Sequence, residues 1–110
     1  MKLFRTVAII PAYNEQDRIS EVVRKTKRLV DNVIVADDGS SDNTAEFAKD
    51  AGAYIISYRK NRGKGHALRL GFQKAFKLDP SVVITLDADG QHRPEEIPNF
   101  INALKNCDMV

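Results

Sequence analysis

The feature that most constrains the fold is an alternation of short apolar runs with helical patterns along the 110 residues. Four apolar runs of five or six residues lie at positions 6–10, 32–36, 53–58 and 81–86. Runs this short, bounded by turn residues, are typical of buried strands. The segments between them carry apolar residues at helical spacing. Strands that alternate with helices pair in parallel through right-handed crossovers, so the pattern predicts an α/β fold.

The same runs predict how the sheet is covered and where a ligand binds. Few polar residues interrupt them, which is typical of strands with helices on both faces of a mostly parallel sheet. We therefore expect a Rossmann-like sheet with the common strand order 3-2-1-4. In such sheets ligands bind outside the carboxyl ends of the strands, where the strand order reverses. In this order the first and fourth strands flank that position.

The first two helices are predicted from their start signals. The first begins near Ile19, and Asn14 or Asp17 is expected to cap it. The second is short and begins at Asn43 and Glu46, which have the spacing of a capping box. Both helices follow strands directly, so we expect them to pack on the sheet as crossover connections.

Two further helices are predicted after the third and fourth strands. One covers residues 66–76, and a later one covers residues 94–105, although Pro98 has no N–H to donate to an earlier carbonyl and so weakens the prediction for its first turn. The first of these is expected to bury an apolar stripe. Its members are Ala67, Leu70, Phe72 and Phe76.

Polar clusters directly follow three of the predicted strands. The first strand is followed by "PAYNE" (11–15), the second by "DDGSSD" (37–42) and the fourth by "DADGQH" (87–92). Because the carboxyl ends of parallel strands meet at one edge of the sheet, these clusters are expected to meet where ligands bind. The sequence thus predicts one ligand site built from several loops.

Other ligand motifs do not fit the chain. Leu68 stands where a dinucleotide fingerprint needs its third glycine, and no Walker loop is present. The segment from residue 87 begins like a calcium loop but has His92 at position six and Pro98 at position twelve. Neither His66 nor His92 has a ligand-like partner at helical spacing. The net charge of +2 does not by itself indicate nucleic acid.

Four segments together carry a resemblance to a known family: "VAIIPAYNE", "VIVADDGSSDNT", "NRGKGHALRLGF" and "VITLDADGQHRPEEIP". In this order they resemble family 2 glycosyltransferases of the GT-A fold, and within them the dolichyl- or polyprenyl-phosphate sugar synthases. The resemblance runs from about Val7 to Cys107. It implies transfer of a sugar, with inversion, from a UDP- or GDP-linked donor to a lipid phosphate in the membrane.

The resemblance also implies roles for the first two clusters. Pro11, Tyr13 and Glu15 would line the pocket for the base and ribose, and Tyr13 offers a ring face and a hydroxyl. Asp38 would meet the base, with Ala36 beside it through its backbone. A structural role for the proline, as the end of a strand, is compatible with this assignment.

The neighbouring polar residues are divided between structure and binding. Asp37 and Asp42 are expected at a turn and at a helix cap. In the basic loop after the third strand, Gly63 and Gly65 would bring backbone N–H groups close to an anion at a helix start. Lys64 is the best single candidate there for a contact with the donor. A solvated basic loop without a ligand remains the alternative.

The last cluster has the pattern of a DxD metal motif. Side chains alternate in direction along an extended segment, so the carboxylates of Asp87 and Asp89, two residues apart, can point the same way. Two close carboxylates repel each other, and a divalent cation relieves that repulsion. Oxygen ligands suit Mg²⁺ or Mn²⁺, with the donor diphosphate completing the shell. Ala88 and Gln91 would complete the donor site. The alternative is a pair of aspartates that cap a turn.

Two other functional classes remain open. A nucleotide-binding module without catalysis would use the same pocket. A phosphoacceptor receiver domain would need an acidic pair after the first strand, its acceptor after the third and a lysine after the fifth. Here "PAYNE" follows the first strand and "YRKN" ends the third. A receiver is therefore the weaker of the two alternatives.

The end of the sequence bears on its extent and location. The chain stops at "DMV", where a fifth strand would begin, whereas catalytic domains of the family continue. We therefore expect residues 1–110 to be one domain, the sugar-nucleotide-binding part of a longer enzyme with its catalytic residues beyond Val110. An unfinished sheet edge favours self-association. The single cysteine, Cys107, suits a reducing compartment, so we expect the cytoplasm or the cytoplasmic face of the membrane.

Overall fold

The computed structural model describes residues 5–88, which form strands and helices in strict alternation. The predicted helix at 94–105, the start of a fifth strand, and the candidate site residues Asp89 and Gln91 lie outside this part of the chain. The strands are β1 (Thr6–Ala12), β2 (Asn32–Asp38), β3 (Tyr54–Tyr58) and β4 (Val82–Thr85). The helices are α1 (Ile19–Lys27), α2 (Thr44–Asp50) and α3 (Lys64–Phe76).

The four strands form one parallel sheet in the order β3-β2-β1-β4. The predicted α/β class and strand order are therefore confirmed. In the register of the sheet, Pro11 lies opposite Ala36 and Ile9 opposite Thr85. The carboxyl ends of β1, β2 and β4 consequently point to the same edge, where the polar clusters begin.

Both faces of the sheet are covered, as the apolar strands predict. Successive side chains of β1 point to opposite faces. Val7 and Ile9 pack on the face that α3 covers, whereas Ala8 and Ile10 belong to the cluster with residues of α1 and α2. All four side chains are fully buried. This two-layer covering holds β1 rigidly in the centre of the sheet and fixes the position of the loop after it.

Helix α3 buries small residues and only part of the predicted stripe, since Ala67 is buried and Phe72 packs against the core. The buried residues of the helix are Ala67, Gly71 and Ala75. Phe76 is 67% exposed, and Leu70 is half-buried, so the prediction for Phe76 is wrong. The reason is a close approach of the helix to β1, because a Cβ on Gly71 would lie 2.5 Å from Cγ2 of Ile9. A large side chain does not fit between the two elements.

Helix α1 begins without either of the predicted caps. Its N-cap position is Arg18, which makes no side-chain capping hydrogen bond. The backbone N–H of Ile19 instead donates to the carbonyl of Glu15 at 2.9 Å. Asn14 bonds to the next loop, as described below. No helix within residues 5–88 has the length and apolar character needed to cross a bilayer.

Candidate functional site

A cleft of about 360 Å³ opens at the carboxyl ends of the strands. It lies beside the neighbouring strands β1 and β4, at the reversal of strand order where ligands bind in open α/β sheets. Its lining comes from the ends of β1 and β2, from the segments that follow β1, β3 and β4, and from the start of α3. The lining residues are Pro11, Ala12, Tyr13, Glu15, Asp38, Asn61, Gly63, Lys64, Asp87 and Ala88.

The cleft brings together most of the site residues predicted from the sequence. Those that line it are Pro11, Tyr13, Glu15, Asp38, Lys64, Asp87 and Ala88. Ala36 is fully buried in the sheet and is not part of the lining. The sequence did not indicate Ala12 or Asn61, although Asn61 follows a strand and the same sheet-edge argument applies to its loop.

Asp38, at the end of β2, accepts several hydrogen bonds from neighbouring segments of the chain. It is only 4% exposed. Its Oδ1 accepts hydrogen bonds from the hydroxyl of Tyr58 at 2.6 Å and the backbone N–H of Arg62 at 2.8 Å. Its Oδ2 accepts from the backbone N–H of Gly63 at 2.9 Å. One carboxylate thus holds the end of β3 and the start of α3 in place.

These contacts also set the charge of Asp38. Burial raises the pKa of the carboxyl, but the hydrogen bonds from Tyr58, Arg62 and Gly63 outweigh burial and hold its pKa below the usual value. Burial and the neighbouring Asp38 carboxylate together raise the pKa of Tyr58, so its hydroxyl stays protonated and donates. A negative charge is therefore fixed inside the cleft at neutral pH.

The carboxylate of Asp38 explains why α3 begins at Lys64, two residues before the predicted start. Gly63 is the N-cap residue and has a φ of 98°, which favours glycine. Its N–H donates to Asp38, so the anion at this helix start is a side chain of the protein. The prediction that this N–H contacts a ligand anion is therefore wrong. The side-chain amide of Asn61 donates to the Asp38 carbonyl at 3.2 Å and completes the attachment of the loop.

Lys64 differs from the other cations of its loop. Arg59, Lys60 and Arg62 are exposed, as expected of a solvated basic loop. Lys64 lines the cleft, and its Nζ lies 2.5 Å from Oδ1 of Asp87. The Asp87 side chain is 16% exposed and that of Lys64 is 60% exposed. The carboxylate is therefore held in the cleft, while the ammonium group reaches it from the solvent side.

The acidic residues of the cleft fit a divalent cation that takes few ligands from the protein. Within residues 5–88, no three side chains of His, Cys, Asp or Glu are grouped closely enough to enclose a metal. Asp87 nevertheless presents a carboxylate that already pairs with a cationic group. Mg²⁺ typically uses one or two carboxylates, with substrate phosphates and water as the other ligands. Asp87 suits such a site, and Asp89 is its predicted second ligand.

The loop after β1 is held by the loop after β2. Asn14 has a φ of 52°, and its backbone N–H donates to Oγ of Ser40 at 2.8 Å. Its side-chain oxygen accepts from the backbone N–H of Ser41 at 2.9 Å. The N–H of Glu15 donates to Oγ1 of Thr44 at 2.9 Å. Asn14 is therefore a link between two loops rather than a helix cap, and it lies between two residues that line the cleft.

Asp37 and Asp42 have the structural roles that the sequence predicts. Asp37 accepts from the backbone N–H of Ser40 at 3.1 Å, which closes the turn after β2. Asp42 accepts from both the backbone N–H and the hydroxyl of Thr44 at the start of α2. The predicted capping box is wrong, because Asn43 makes no side-chain capping hydrogen bond. The capping acceptor is instead the carboxylate of Asp42, one position before Asn43.

Comparison with known sequences gives one family and several named relatives. The family model "Glycosyl transferase family 2" matches residues 7–110. The chain is 35% identical, over 89% of its length, to UDP-N-acetylglucosamine–dolichyl-phosphate N-acetylglucosaminyltransferase of Methanococcus voltae, of which it covers 46%. It is 37% identical, over 94% of its length, to undecaprenyl-phosphate 4-deoxy-4-formamido-L-arabinose transferase of Edwardsiella ictaluri, of which it covers 36%. The chain thus spans less than half of either relative.

Solved structures show the same fold. Glucosyl-3-phosphoglycerate synthase from Mycobacterium tuberculosis, in complex with Mn²⁺, UDP and glucosyl-3-phosphoglycerate, matches with a TM-score of 0.78 at 26% identity. The match covers 96% of this chain and 41% of that one. Mannosyl-3-phosphoglycerate synthase from Rubrobacter xylanophilus matches in fold with a TM-score of 0.76 at 23% identity. The expected GT-A fold is confirmed by these likenesses.

Proposed function

Because the chain belongs to glycosyl transferase family 2, we propose that its cleft is the donor site of an enzyme that transfers a sugar from a nucleoside diphosphate to a polyprenyl phosphate. The observation that carries the proposal is the meeting of Tyr13, Asp38, Lys64 and Asp87 in one cleft at the carboxyl ends of the strands. The family membership leaves the receiver-domain alternative without support. Two relatives whose names include dolichyl phosphate or undecaprenyl phosphate support this class of acceptor.

The base and ribose are proposed to bind between the loops after β1 and β2. Tyr13 is 48% exposed, so its ring offers an open face for stacking, with Pro11 and Glu15 beside it. A carboxylate has about four acceptor positions, and Asp38 uses three of them within the protein. The remaining position is available to an N–H group of the base. Ala36 would act only through its backbone, because its side chain is buried in the sheet.

The diphosphate is proposed to bind on the other side of the cleft. Asp87 and Asp89 would hold Mg²⁺ or Mn²⁺, and Ala88 and Gln91 would border the same segment. The bound ion supplies positive charge that neutralises the departing diphosphate. Lys64 supplies a second positive charge from the start of α3. A relative of known structure that holds Mn²⁺ together with UDP supports this part of the proposal.

The acceptor chemistry places few demands on the cleft described above. A lipid phosphate is already anionic, so its oxygen attacks the anomeric carbon without a strong general base. Attack on the face opposite the leaving diphosphate inverts the configuration at that carbon. We propose that the residues which orient the acceptor lie beyond position 110, and that the whole enzyme works at the cytoplasmic face of a membrane.

Titration calorimetry on the 110-residue chain tests the donor site directly. UDP and GDP are each titrated with and without Mn²⁺, and uridine and guanosine serve as uncharged controls. We expect one diphosphate to bind more tightly than the other and Mn²⁺ to strengthen the binding of that diphosphate. Absence of binding by either diphosphate in the presence of Mn²⁺ would contradict the assignment of the cleft.

A further inference from the structure

The ion pair between Lys64 and Asp87 places two cations in competition for one oxygen atom. Nζ of Lys64 lies 2.5 Å from Oδ1 of Asp87. A Mg²⁺ or Mn²⁺ ion bound by Asp87 would lie about 2.1 Å from a carboxylate oxygen. An ammonium group and a divalent ion so close to each other repel, and salt screens this repulsion little because the separation is far below the Debye length. Binding of a metal ion through this oxygen therefore requires the lysine ammonium group to move.

The backbone at Lys64 cannot supply that movement easily. Gly63, the residue before Lys64, is fixed by the hydrogen bond from its backbone N–H to Asp38. Helix α3 begins at Lys64 and continues directly after it. The side chain is different, because it is 60% exposed and has a flexible four-carbon stem. The ammonium group can therefore leave Asp87 by rotation of the side chain alone.

We propose that Lys64 competes with the divalent cation for Asp87, and that its ammonium group pairs with the donor diphosphate instead when the metal binds. This inference rests on the proposed function of the cleft. In this arrangement Lys64 lowers the affinity of the chain for metal alone, because the metal must displace an existing partner. The diphosphate then gives the displaced ammonium group a new partner. Metal and nucleotide consequently bind better together than separately, and part of that coupling belongs to Lys64.

The test measures binding of Mn²⁺ without nucleotide, which does not depend on enzyme activity. The variants are Lys64→Met, which removes the charge and keeps most of the side-chain length, and Lys64→Arg, which keeps a charge. Lys60→Met is the matched control, since Lys60 is an exposed lysine of the same loop that does not line the cleft. Thermal melts by circular dichroism check that every variant is folded.

Lys64→Met should bind Mn²⁺ about two- to fivefold more tightly than the unchanged chain, which corresponds to the loss of a partly exposed ion pair. Lys60→Met should match the unchanged chain at about 0.15 M salt, where distant charges are screened. Lys64→Arg should keep the weaker affinity. At saturating Mn²⁺, Lys64→Met should bind UDP about tenfold more weakly, because a charge-assisted contact with the diphosphate is lost. Uridine should bind equally to all variants.

In Lys64→Met, Mn²⁺ binding should become tighter and UDP binding weaker, and these opposite changes distinguish competition from a structural role. A lysine that only stabilises the cleft would weaken both ligands when replaced. Unchanged or weaker Mn²⁺ binding in folded Lys64→Met overturns the inference, even where UDP binding still depends on Mn²⁺ and the proposed function stands. If the unchanged chain binds neither Mn²⁺ nor UDP, the proposed function fails and the inference fails with it.

Discussion

Replacement of Asp38 by alanine should destabilise the fold as well as the site. The substitution removes the acceptor of three hydrogen bonds, from the Tyr58 hydroxyl and from the backbone of Arg62 and Gly63. A hydrogen bond to a charged group contributes about 1.5–3 kcal/mol, but water can reach the freed N–H groups of this half-exposed loop. We therefore expect a loss of about 2–4 kcal/mol, a large part of the stability of a small domain.

Urea unfolding followed by circular dichroism measures this loss, and amide hydrogen exchange locates it. The amides of Arg62 and Gly63 should lose protection in Asp38→Ala, whereas amides in the centre of β1 should change only with global stability. Tyr58→Phe is the matched control, because it removes one of the three donors and leaves the carboxylate in place. Tyr58→Phe alone should lower the free energy of unfolding by about 1 kcal/mol. When it is added to Asp38→Ala, it should cause no further loss, because its hydrogen-bond partner is already absent.

A small effect would refute the structural role that we assign to this carboxylate. If Asp38→Ala lowers the free energy of unfolding by less than about 0.5 kcal/mol, the three hydrogen bonds contribute no more than an ordinary surface substitution. Unchanged exchange of the Arg62 and Gly63 amides would lead to the same conclusion. Additive costs of Asp38→Ala and Tyr58→Phe would show that the two side chains do not act as a pair.

Three further predictions concern packing, pH and metal. Gly71→Ala should lower the free energy of unfolding in urea by about 1–3 kcal/mol, because the new Cβ would lie 2.5 Å from Ile9. Gly65→Ala is the control, since its Cβ meets nothing within 4 Å and the substitution should be neutral or slightly stabilising. Equal effects of the two substitutions would contradict the close approach of α3. The folded pKa of Asp38 is lowered, so its contribution to stability is complete above the unfolded pKa of about 3.9 and is lost as the pH falls through the folded value. The free energy of unfolding of Asp38→Asn should therefore depend less on pH in that window. An identical pH dependence would show that Asp38 does not contribute to it. Asp89→Asn should remove most of the coupling between Mn²⁺ and UDP binding, on the order of 1–3 kcal/mol, and leave uridine binding unchanged. UDP titrations with and without Mn²⁺ test this, because a turn-capping role for Asp89 predicts almost no effect of the substitution.

The architecture was predictable because several independent signals agree. Apolar runs, turn residues and helical spacing all place the same elements in the same order, and parallel pairing follows from their alternation. The burial within α3 was not predictable in this way. Hydrophobicity favours Phe76 over Gly71, whereas the close approach to Ile9 requires the smaller residue. That distance depends on tertiary packing, which the local pattern does not contain.

The errors in the caps have a related physical cause. Asparagine favours helix caps and inter-loop hydrogen bonds for the same reason, because its short side chain carries both acceptor and donor groups. Asn14 stands four residues before the N-cap position of α1 and bonds to Ser41, 27 residues away. A local sequence window does not contain that partner. The strand order does bring the two loops together, since β1 and β2 are neighbours in the sheet.

The sequence predicted most of the residues that line the cleft but not the contacts that they make with neighbouring residues. Tyr58 and Asn61 were not assigned roles, because their partner is Asp38, some twenty residues earlier in the chain. These contacts change how the site is understood. Asp38 orders the loop that leads to Lys64, and Lys64 pairs with Asp87 across the cleft. A charge proposed to recognise the base therefore also positions the charge proposed to meet the diphosphate. The two ends of the proposed donor site are joined through the start of α3, so each substitution there must be assayed for base and phosphate binding separately.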